Sequence, residues 1–263
     1  MTAPARAAAR ARRDLVRMAR PSGAFDASRF FRGAGDLGFF NVGSARVRAL
    51  AKETYRTHRD AWSVGAALAC ADALVRDRYL EVKGVGIELM ACYRPACTPR
   101  ILPSWKRWLA RGYSANWATT DAICGLLIGP LLVQYPSLAS EMRGWARHRN
   151  MWVRRASAVS LIPSVRRGLA LDLAYRVART LHPDPEDLIQ KAVGWMLREA
   201  GKADARQLEG YLRANGPRIP RTTVRYAIER FPPAKRRALL EITKGARGNA
   251  GPRARSERPP DGR

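Results

Sequence analysis

The sequence predicts an all-α fold, and three observations lead to this prediction. From residue 44 onward, apolar side chains recur at three- and four-residue spacing in segments of about 10 to 18 residues. Proline and glycine breakers separate these segments. Almost no stretch alternates polar and apolar side chains as a half-buried strand would.

A near-regular repeat organises the helical part. Small residues recur at intervals of 36, 34, 36 and 35, at Gly86, Ala122, Ala156, Ala192 and Ala227. Alanine is common enough that any helical protein gives some such spacing, but four near-equal intervals with similar flanks favour a true repeat. Repeats of this length are typical of HEAT-like arrays, in which helix pairs bury their apolar faces by stacking. The sequence therefore predicts a HEAT-like α-solenoid of antiparallel helix pairs with a concave basic face.

The composition divides the chain into three parts. Residues 1–23 are rich in alanine and arginine, and we interpret them as a disordered basic arm, with a transit peptide as the alternative. Residues 24–244 form a single HEAT-like domain. Residues 245–263 consist mainly of glycine, arginine, proline and serine, which predicts a disordered basic tail.

The charge of the chain points to a polyanionic partner. The formal net charge is +26, from 48 basic and 22 acidic residues. Residues 1–23 hold six basic residues and residues 244–263 hold six more, so 36 remain in between, against 19 acidic ones. A folded surface with this excess favours nucleic acid as the partner. An arginine-rich proteome with solvated basic faces is the alternative explanation.

The cysteines and histidines exclude several classes of protein. No two of the four cysteines form a C-x-x-C pair, and the three histidines are scattered, so neither a metal site nor a disulfide framework is expected. We expect buried thiols in a reducing compartment. No apolar run reaches the roughly 18 residues of a membrane span, because Gly129 and Pro130 interrupt the most apolar stretch.

The repeat register places one acidic residue in a basic row. The residues just before the small ones should occupy equivalent places on successive helices, and they are Val85, Asp121, Arg155, Lys191 and Tyr226. Cations in this row suit a surface that follows a phosphate backbone. A carboxylate there weakens phosphate binding, so a lone Asp121 in a cationic groove indicates a chemical role. The alternative is a carboxylate that favours a helix dipole.

Two tryptophans lie near this row. Trp117 precedes Asp121 by one helical turn, and Trp195 follows Lys191 by one turn and precedes Arg198 by three residues. An aromatic residue with basic neighbours on both sides suits a ligand-facing position, although either tryptophan could belong to the core. Gly194 is explained equally well by close helix packing or by close approach of DNA.

These motifs resemble a known family. Trp117 with Asp121, residues 152–155 and residues 191–199 together resemble the AlkD-type DNA alkylation-repair glycosylases, which have HEAT-like repeats. The resemblance covers roughly residues 25–235, and residues 191–199 are its most specific part. It implies that Trp117, Asp121 and Trp195 surround the deoxyribose of the lesion and that Arg155 holds a nearby phosphate. It also implies cationic substrates such as 3-methyladenine and 7-methylguanine.

The side chains of these motifs also suit the hydrolysis of an alkylated purine for chemical reasons that do not depend on the resemblance. An alkylated purine already carries positive charge, so its departure needs no general acid, but it leaves an oxocarbenium-like sugar. A carboxylate such as Asp121 can stabilise that sugar and orient water. Indole faces add cation–π-like stabilisation, and Arg155 offers a bidentate phosphate contact. We expect Lys191 and Arg198 to contact phosphates and Glu199 to be an ion-pair partner.

One departure from the family lies near the N-terminus. Phe31 and Val42 stand where members of the family tend to carry a tyrosine and a polar residue that contact DNA around the lesion. The exact lesion range is therefore left open.

The sequence thus predicts a DNA-alkylpurine glycosylase in base excision repair. We expect a monomer that binds double-stranded DNA with alkylated bases, without metal, cofactor or membrane, in a bacterial cytoplasm associated with the nucleoid. One alternative is a non-catalytic binder of branched or distorted DNA on the same fold, which would not need Asp121. The other is a solenoid scaffold for an acidic protein.

Overall fold

The computed structural model describes residues 2–21, 31 and 36–244 of the chain. Within these residues all regular structure is helical, apart from one isolated bridge between Gly38 and Tyr79. The all-α prediction is confirmed. The helices are α1 (Ala3–Arg17), α2 (Ser44–His58), α3 (Val64–Val75), α4 (Leu80–Tyr93), α5 (Leu102–Ala110), α6 (Trp117–Ile123), α7 (Gly129–Gln134), α8 (Met142–Trp145), α9 (Met151–Val159), α10 (Ile162–Val165), α11 (Leu171–Leu181), α12 (Asp187–Ala203), α13 (Ala205–Asn215), α14 (Arg221–Ala227) and α15 (Pro233–Ile242).

The N-terminal segment corrects one prediction. We interpreted residues 1–23 as a disordered arm, but α1 is a regular helix that packs against α3. Alanine has the highest helix propensity, which favours this segment locally. Ala8, Ala11 and Leu15 lie on one face and are buried, and the two small residues allow close packing of the helices. The predicted C-terminal tail, residues 245–263, lies outside the described residues.

Five helices form a consecutive row. Helix α4 packs against α6, α6 against α9, α9 against α12, and α12 against α14. Four further helices pack against members of this row: α3 on α4, α5 on α9, α11 on α9 and α12, and α13 on α12. Each small residue of the predicted repeat falls on a different helix of the row: Gly86, Ala122, Ala156, Ala192 and Ala227. The predicted register therefore places its five small residues on five successively packed helices, and the HEAT-like solenoid stays a prediction.

A π-helical turn joins α6 to α7 in one continuous helix, Trp117–Gln134. Pro130 has no N–H, so the carbonyl of Leu126, four residues earlier, cannot receive its usual helical hydrogen bond. Arg94 supplies the missing donor, because its Nη1 lies 3.0 Å from that carbonyl oxygen. Proline is therefore tolerated inside the helix.

This continuous helix also overturns the expectation that Gly129 and Pro130 limit the apolar stretch. Among the described residues, Trp117–Gln134 is the one helix whose length and composition would let it cross a membrane, with a mean hydropathy of 1.3. Half of this helix is buried inside the fold. Length and composition alone are weak grounds for a membrane span.

The core is continuous and rich in aromatic side chains. Trp105, Trp108 and Trp145 are fully buried, and one cluster of buried apolar residues extends from α1 to α15. The four cysteines are free thiols, and burial raises the pKa of Cys70 and of Cys124 to about 12. These two thiols are therefore protonated and unreactive at neutral pH.

Candidate functional site

Asp121 and Trp117 share one face of α6. The side chain of Asn116 caps the helix by accepting a 2.8 Å hydrogen bond from the backbone N–H of Thr119, so α6 begins at Trp117. Asp121 follows one turn later. Trp117 is 38% exposed and Asp121 is partly exposed. A ligand that approaches this face of α6 can meet both side chains.

Arg155 on α9 binds the carboxylate of Asp121. Its Nε donates to Oδ1 and its Nη2 donates to Oδ2, each over 2.8 Å. The side chain of Arg155 is 7% exposed and that of Asp121 is 18% exposed. Two parallel charge-assisted hydrogen bonds at this burial fix the plane of the carboxylate as well as its position.

The third contact of Arg155 reaches a further helix. Its Nη1 donates to the backbone carbonyl of Leu188, in the first turn of α12. One guanidinium thereby joins α6, α9 and α12. The sequence analysis placed both residues in one row but did not predict that they form an ion pair. Phosphate binding by Arg155 stays a prediction, because in this structure its guanidinium is turned toward Asp121 and Leu188.

The ionisation of Asp121 reflects two opposing influences. Burial raises the pKa of Asp121 above its ordinary value of 3.8, while the hydrogen bonds and the positive charge of Arg155 oppose that rise. A carboxylate with a raised pKa accepts a proton more readily than one in water. Arg155 meanwhile favours the ionised form of Asp121, and only that form can accept a proton.

Trp117 stacks on an aromatic residue from the N-terminal region. The ring centroids of Trp117 and Phe31 are 5.4 Å apart, and the two planes are inclined by 6°. Phe31 also lies 5.3 Å from Phe39, with the rings tilted by 43°. Phe31, named above as a departure from the resembled family, thus packs directly on a predicted site residue.

The three predicted residues of α12 lie along one stretch of that helix. Lys191 pairs with Asp187 over 2.6 Å, and Arg198 pairs with Glu229. Trp195, between them, is half-buried and packs against the core. Among the ring contacts of the described residues, none joins Trp195 to Trp117. The structure connects α12 to Asp121 through Arg155, and it brings neither cation into an ion pair with Asp121.

Close helix packing accounts for Gly194. A Cβ at this position would lie 2.4 Å from the Cβ of Tyr226 and 2.8 Å from the carbonyl oxygen of Thr223, both on α14. The Thr223 hydroxyl also donates to the carbonyl of Gln190 on α12, over 2.9 Å. Glycine is therefore required for α12 and α14 to approach each other this closely.

Two further groups of ion pairs involve residues next to the predicted site residues in the sequence or on the same helix. Arg154 binds Asp184 through Nε at 2.6 Å, a pair that the sequence analysis missed because the two residues follow no repeat interval. Glu199 is buried and pairs with Arg166 and Lys202, each at 2.8 Å, as predicted. Burial would raise the pKa of Glu199, but these two cations outweigh burial and lower it to about 2.

The family of the chain follows from comparison with known proteins. The model of the DNA alkylation repair enzyme family matches residues 11–231. The chain belongs to this family. The match begins inside α1, which agrees with the packing of α1 onto the rest of the fold. The DNA alkylation repair family identified from the motifs is thereby confirmed, and with it a role in alkylation repair.

A solved structure shows the same fold. A predicted DNA alkylation repair enzyme from Enterococcus faecalis is similar over 75% of this chain and 90% of its own, with a TM-score of 0.66 and 17% sequence identity. At this identity the likeness shows the fold and not the activity. No curated protein matches the chain.

Proposed function

We propose that this member of the DNA alkylation repair family is a DNA glycosylase. It hydrolyses the N-glycosidic bond of cationic alkylated purines, such as 3-methyladenine and 7-methylguanine, in duplex DNA. The observation that carries the proposal is the carboxylate of Asp121, fixed by Arg155 beside the exposed ring of Trp117. We further propose that the protein acts as a monomer, without a metal or organic cofactor, in the bacterial cytoplasm.

The reaction begins with departure of the base. The bond between the sugar C1′ and the purine nitrogen breaks, and both electrons pass to the base, which leaves as a neutral molecule. The positive charge that the base carried is now on the sugar, as an oxocarbenium-like species. The carboxylate of Asp121 stabilises that charge because it is ionised, partly desolvated and already oriented.

Water completes the hydrolysis. A water molecule adds at C1′ and loses one proton, which the carboxylate of Asp121 accepts before it passes to solvent. The raised pKa of Asp121 favours this transfer. Trp117 and Trp195 enclose the sugar in this proposal, and each indole face adds roughly 0.5–2 kcal/mol of cation–π-like stabilisation.

Basic side chains on α12 hold the DNA. Lys191 and Arg198 are paired with Asp187 and Glu229, and the side chain of Lys191 remains 40% exposed. Exposed pairs of this kind contribute at most about 1 kcal/mol, so phosphate can displace their carboxylate partners. Arg155 acts on the reaction mainly by positioning Asp121, and a phosphate contact from its guanidinium is part of the proposal.

Substitution of Asp121→Asn tests the proposal. We expect release of 7-methylguanine from methylated duplex DNA to fall by about 100-fold or more, with DNA affinity retained. Asp184→Asn is the matched control, since Asp184 forms a comparable partly buried pair with Arg154. The control should retain excision, and thermal melting of both variants should show that each is folded.

The outcome separates the glycosylase from its alternatives. Unchanged base release by the folded Asp121→Asn protein contradicts catalysis by this carboxylate. A wild-type protein that binds branched or distorted DNA but releases no base supports the non-catalytic binder. A protein without affinity for duplex DNA supports the scaffold for an acidic protein.

A further inference from the structure

The ring of Trp117 leaves α6 at a place where the helix itself gives it no support. Trp117 is the first residue of α6, directly after the cap residue Asn116. Helical side chains lean toward the N-terminus of their helix and lie on the preceding turn. At the first position there is no preceding turn, so the helix fixes the backbone of Trp117 and leaves the orientation of its ring to other contacts.

Aromatic side chains from the N-terminal region supply such contacts. The ring of Phe31 is inclined by only 6° to that of Trp117, at a centroid distance of 5.4 Å. This geometry is that of an offset stack. The ring of Phe39 lies 5.3 Å from that of Phe31. Phe31 therefore covers one face of the indole, while 38% of Trp117 remains exposed to a ligand.

The backbone on either side of Phe39 is fixed to the beginning of α4. The buried carboxylate of Glu81 accepts hydrogen bonds from the N–H groups of Phe40, at 3.0 Å, and Val42, at 3.2 Å. The carbonyl of Gly38 accepts a 3.0 Å hydrogen bond from the first N–H of α4. Hydrogen bonds to a carboxylate are stronger than those between neutral groups. Phe39 therefore has a defined place relative to α4.

Phe31 and Val42, named above as departures from the resembled family, both take part in this packing. The ring of Phe31 lies on Trp117, and the backbone of Val42 is held by Glu81 while its side chain is buried. Neither side chain has a group that can donate or accept a hydrogen bond. The two departures therefore favour a role in supporting the site over a polar contact with DNA.

We infer that Phe31, Phe39 and Glu81 are positioning residues that hold the indole of Trp117 at the angle at which it meets the sugar. The inference rests on the proposed glycosylase function. Glu81 fixes the backbone, Phe39 packs on Phe31, and Phe31 sets the plane of Trp117. An aromatic ring attracts a cation that lies over its face. A tilted indole would therefore lose its attraction for the oxocarbenium-like sugar.

The effect of these residues should fall on kcat. Positive charge develops on the sugar only as the base leaves, so a misplaced indole stabilises the transition state less and leaves substrate binding unchanged. Phe31→Leu should lower kcat for release of 7-methylguanine about tenfold, within the range of one cation–π-like contact, at constant KM. Phe31→Tyr keeps the ring and should match the wild type.

Two results of these kinetics overturn the inference. One is an unchanged kcat in Phe31→Leu. The other is a higher KM in Phe31→Leu together with a lower KM in Phe31→Tyr, because that pattern indicates a direct contact with DNA.

Glu81→Gln tests the other end of this series of contacts. Glutamine has one acceptor oxygen in place of two, and its NH2 group would face an N–H donor. We expect kcat to fall as in Phe31→Leu, and the double variant to lose little more than either single variant. Glu88→Gln is the matched control and should retain kcat, because it removes the same charge from a half-buried residue two turns later on α4. Additive losses in the double variant contradict a shared role.

Tryptophan fluorescence tests the packing without catalysis. Acrylamide should quench the emission of Phe31→Leu more than that of the wild type, because the substitution uncovers one face of an indole. In a Trp117→Phe background the same substitution should change nothing, which assigns the effect to Trp117. Equal quenching of the wild type and Phe31→Leu overturns the inference. If quenching rises but the wild type releases no base from DNA, the packing is supported while the proposed glycosylase activity fails.

Discussion

The carboxylate of Asp121 accepts two 2.8 Å hydrogen bonds from the guanidinium of Arg155, which lies 34 residues later in the chain. That separation equals one interval of the repeat. Two residues at equivalent positions of neighbouring repeats are close in space whenever the repeats stack. The pair therefore joins two adjacent positions of the predicted register.

Removal of both partners of this pair should cost less than the sum of the two single removals. Arg155→Ala leaves a partly buried carboxylate without compensation, and we expect the free energy of unfolding to fall by about 3–5 kcal/mol. In the double variant Asp121→Ala with Arg155→Ala, the loss should be smaller than the sum of the two single losses. Urea unfolding of the four proteins measures this coupling. Strict additivity would show that the two residues do not stabilise each other.

Substitution of a basic residue on α12 should show whether that residue contacts DNA phosphates. Lys191→Ala should weaken DNA binding to a similar extent for all sequences and reduce the slope of log affinity against log salt by about 1. Lys235→Ala is the control, since Lys235 pairs with Glu209 on α13 and its side chain is 44% exposed, close to the 40% of Lys191. Equal salt slopes for both variants would place the DNA elsewhere on the molecule.

A methyl group at position 194 should destabilise the fold. Gly194→Ala places a Cβ 2.4 Å from that of Tyr226, and we expect a loss of about 1–3 kcal/mol despite the higher helix propensity of alanine. Gly210→Ala is the matched control within α13, because no side chain or other part of the fold beyond its chain neighbours and local helix backbone lies within 4 Å of its added Cβ. That variant should gain about 0.5–1 kcal/mol. Thermal unfolding that ranks the two variants in the reverse order would contradict this packing.

The N-terminal helix should contribute to global stability. Leu15 is completely buried, and Leu15→Ala should lower the free energy of unfolding by about 2–5 kcal/mol. Its neighbour Val16 is 47% exposed, so Val16→Ala should change stability by less than about 0.5 kcal/mol. Equal small effects would indicate that α1 is dispensable for the fold.

His182 should make the protein sensitive to acid. Burial lowers the pKa of His182 to about 4 from 6.5, and its Nε2 lies 2.6 Å from the hydroxyl of Tyr211. The folded pKa lies below the unfolded one, so the stabilising contribution is complete above pH 6.5. It is lost as the pH falls toward 4, by roughly 3 kcal/mol in total. Unfolding by urea between pH 7 and 4 should therefore show a smaller loss in His182→Gln than in the wild type. Identical losses would exclude His182 as the cause.

The sequence alone predicted the features that follow from periodicity. Helical spacing gave the all-α fold, and the five small residues of the register fall on five consecutively packed helices. The same register contained the contact between Asp121 and Arg155, because opposite charges stood at adjacent positions of the row. We interpreted the acidic Asp121 in this basic row as a sign of a chemical role, and we did not predict its ion pair with Arg155.

Contacts between residues that lie outside the repeat register could not be predicted in this way. Arg94 reaches the carbonyl of Leu126 across 32 residues and replaces the hydrogen bond that Pro130 cannot donate. Helix α1 was missed for a different reason. Its composition resembles that of a low-complexity arm, and only its packing on α3 distinguishes a folded helix from a flexible one.

The burial of the Arg155 guanidinium has a practical consequence for purification and assay. Dissolved ions screen exposed charges such as Lys191 and Asp187 strongly, whereas a pair with side-chain exposures of 7% and 18% is screened much less. Concentrated sodium chloride should therefore strip bound DNA from the protein while the carboxylate of Asp121 keeps its orientation. After desalting, such a preparation should regain full activity without refolding.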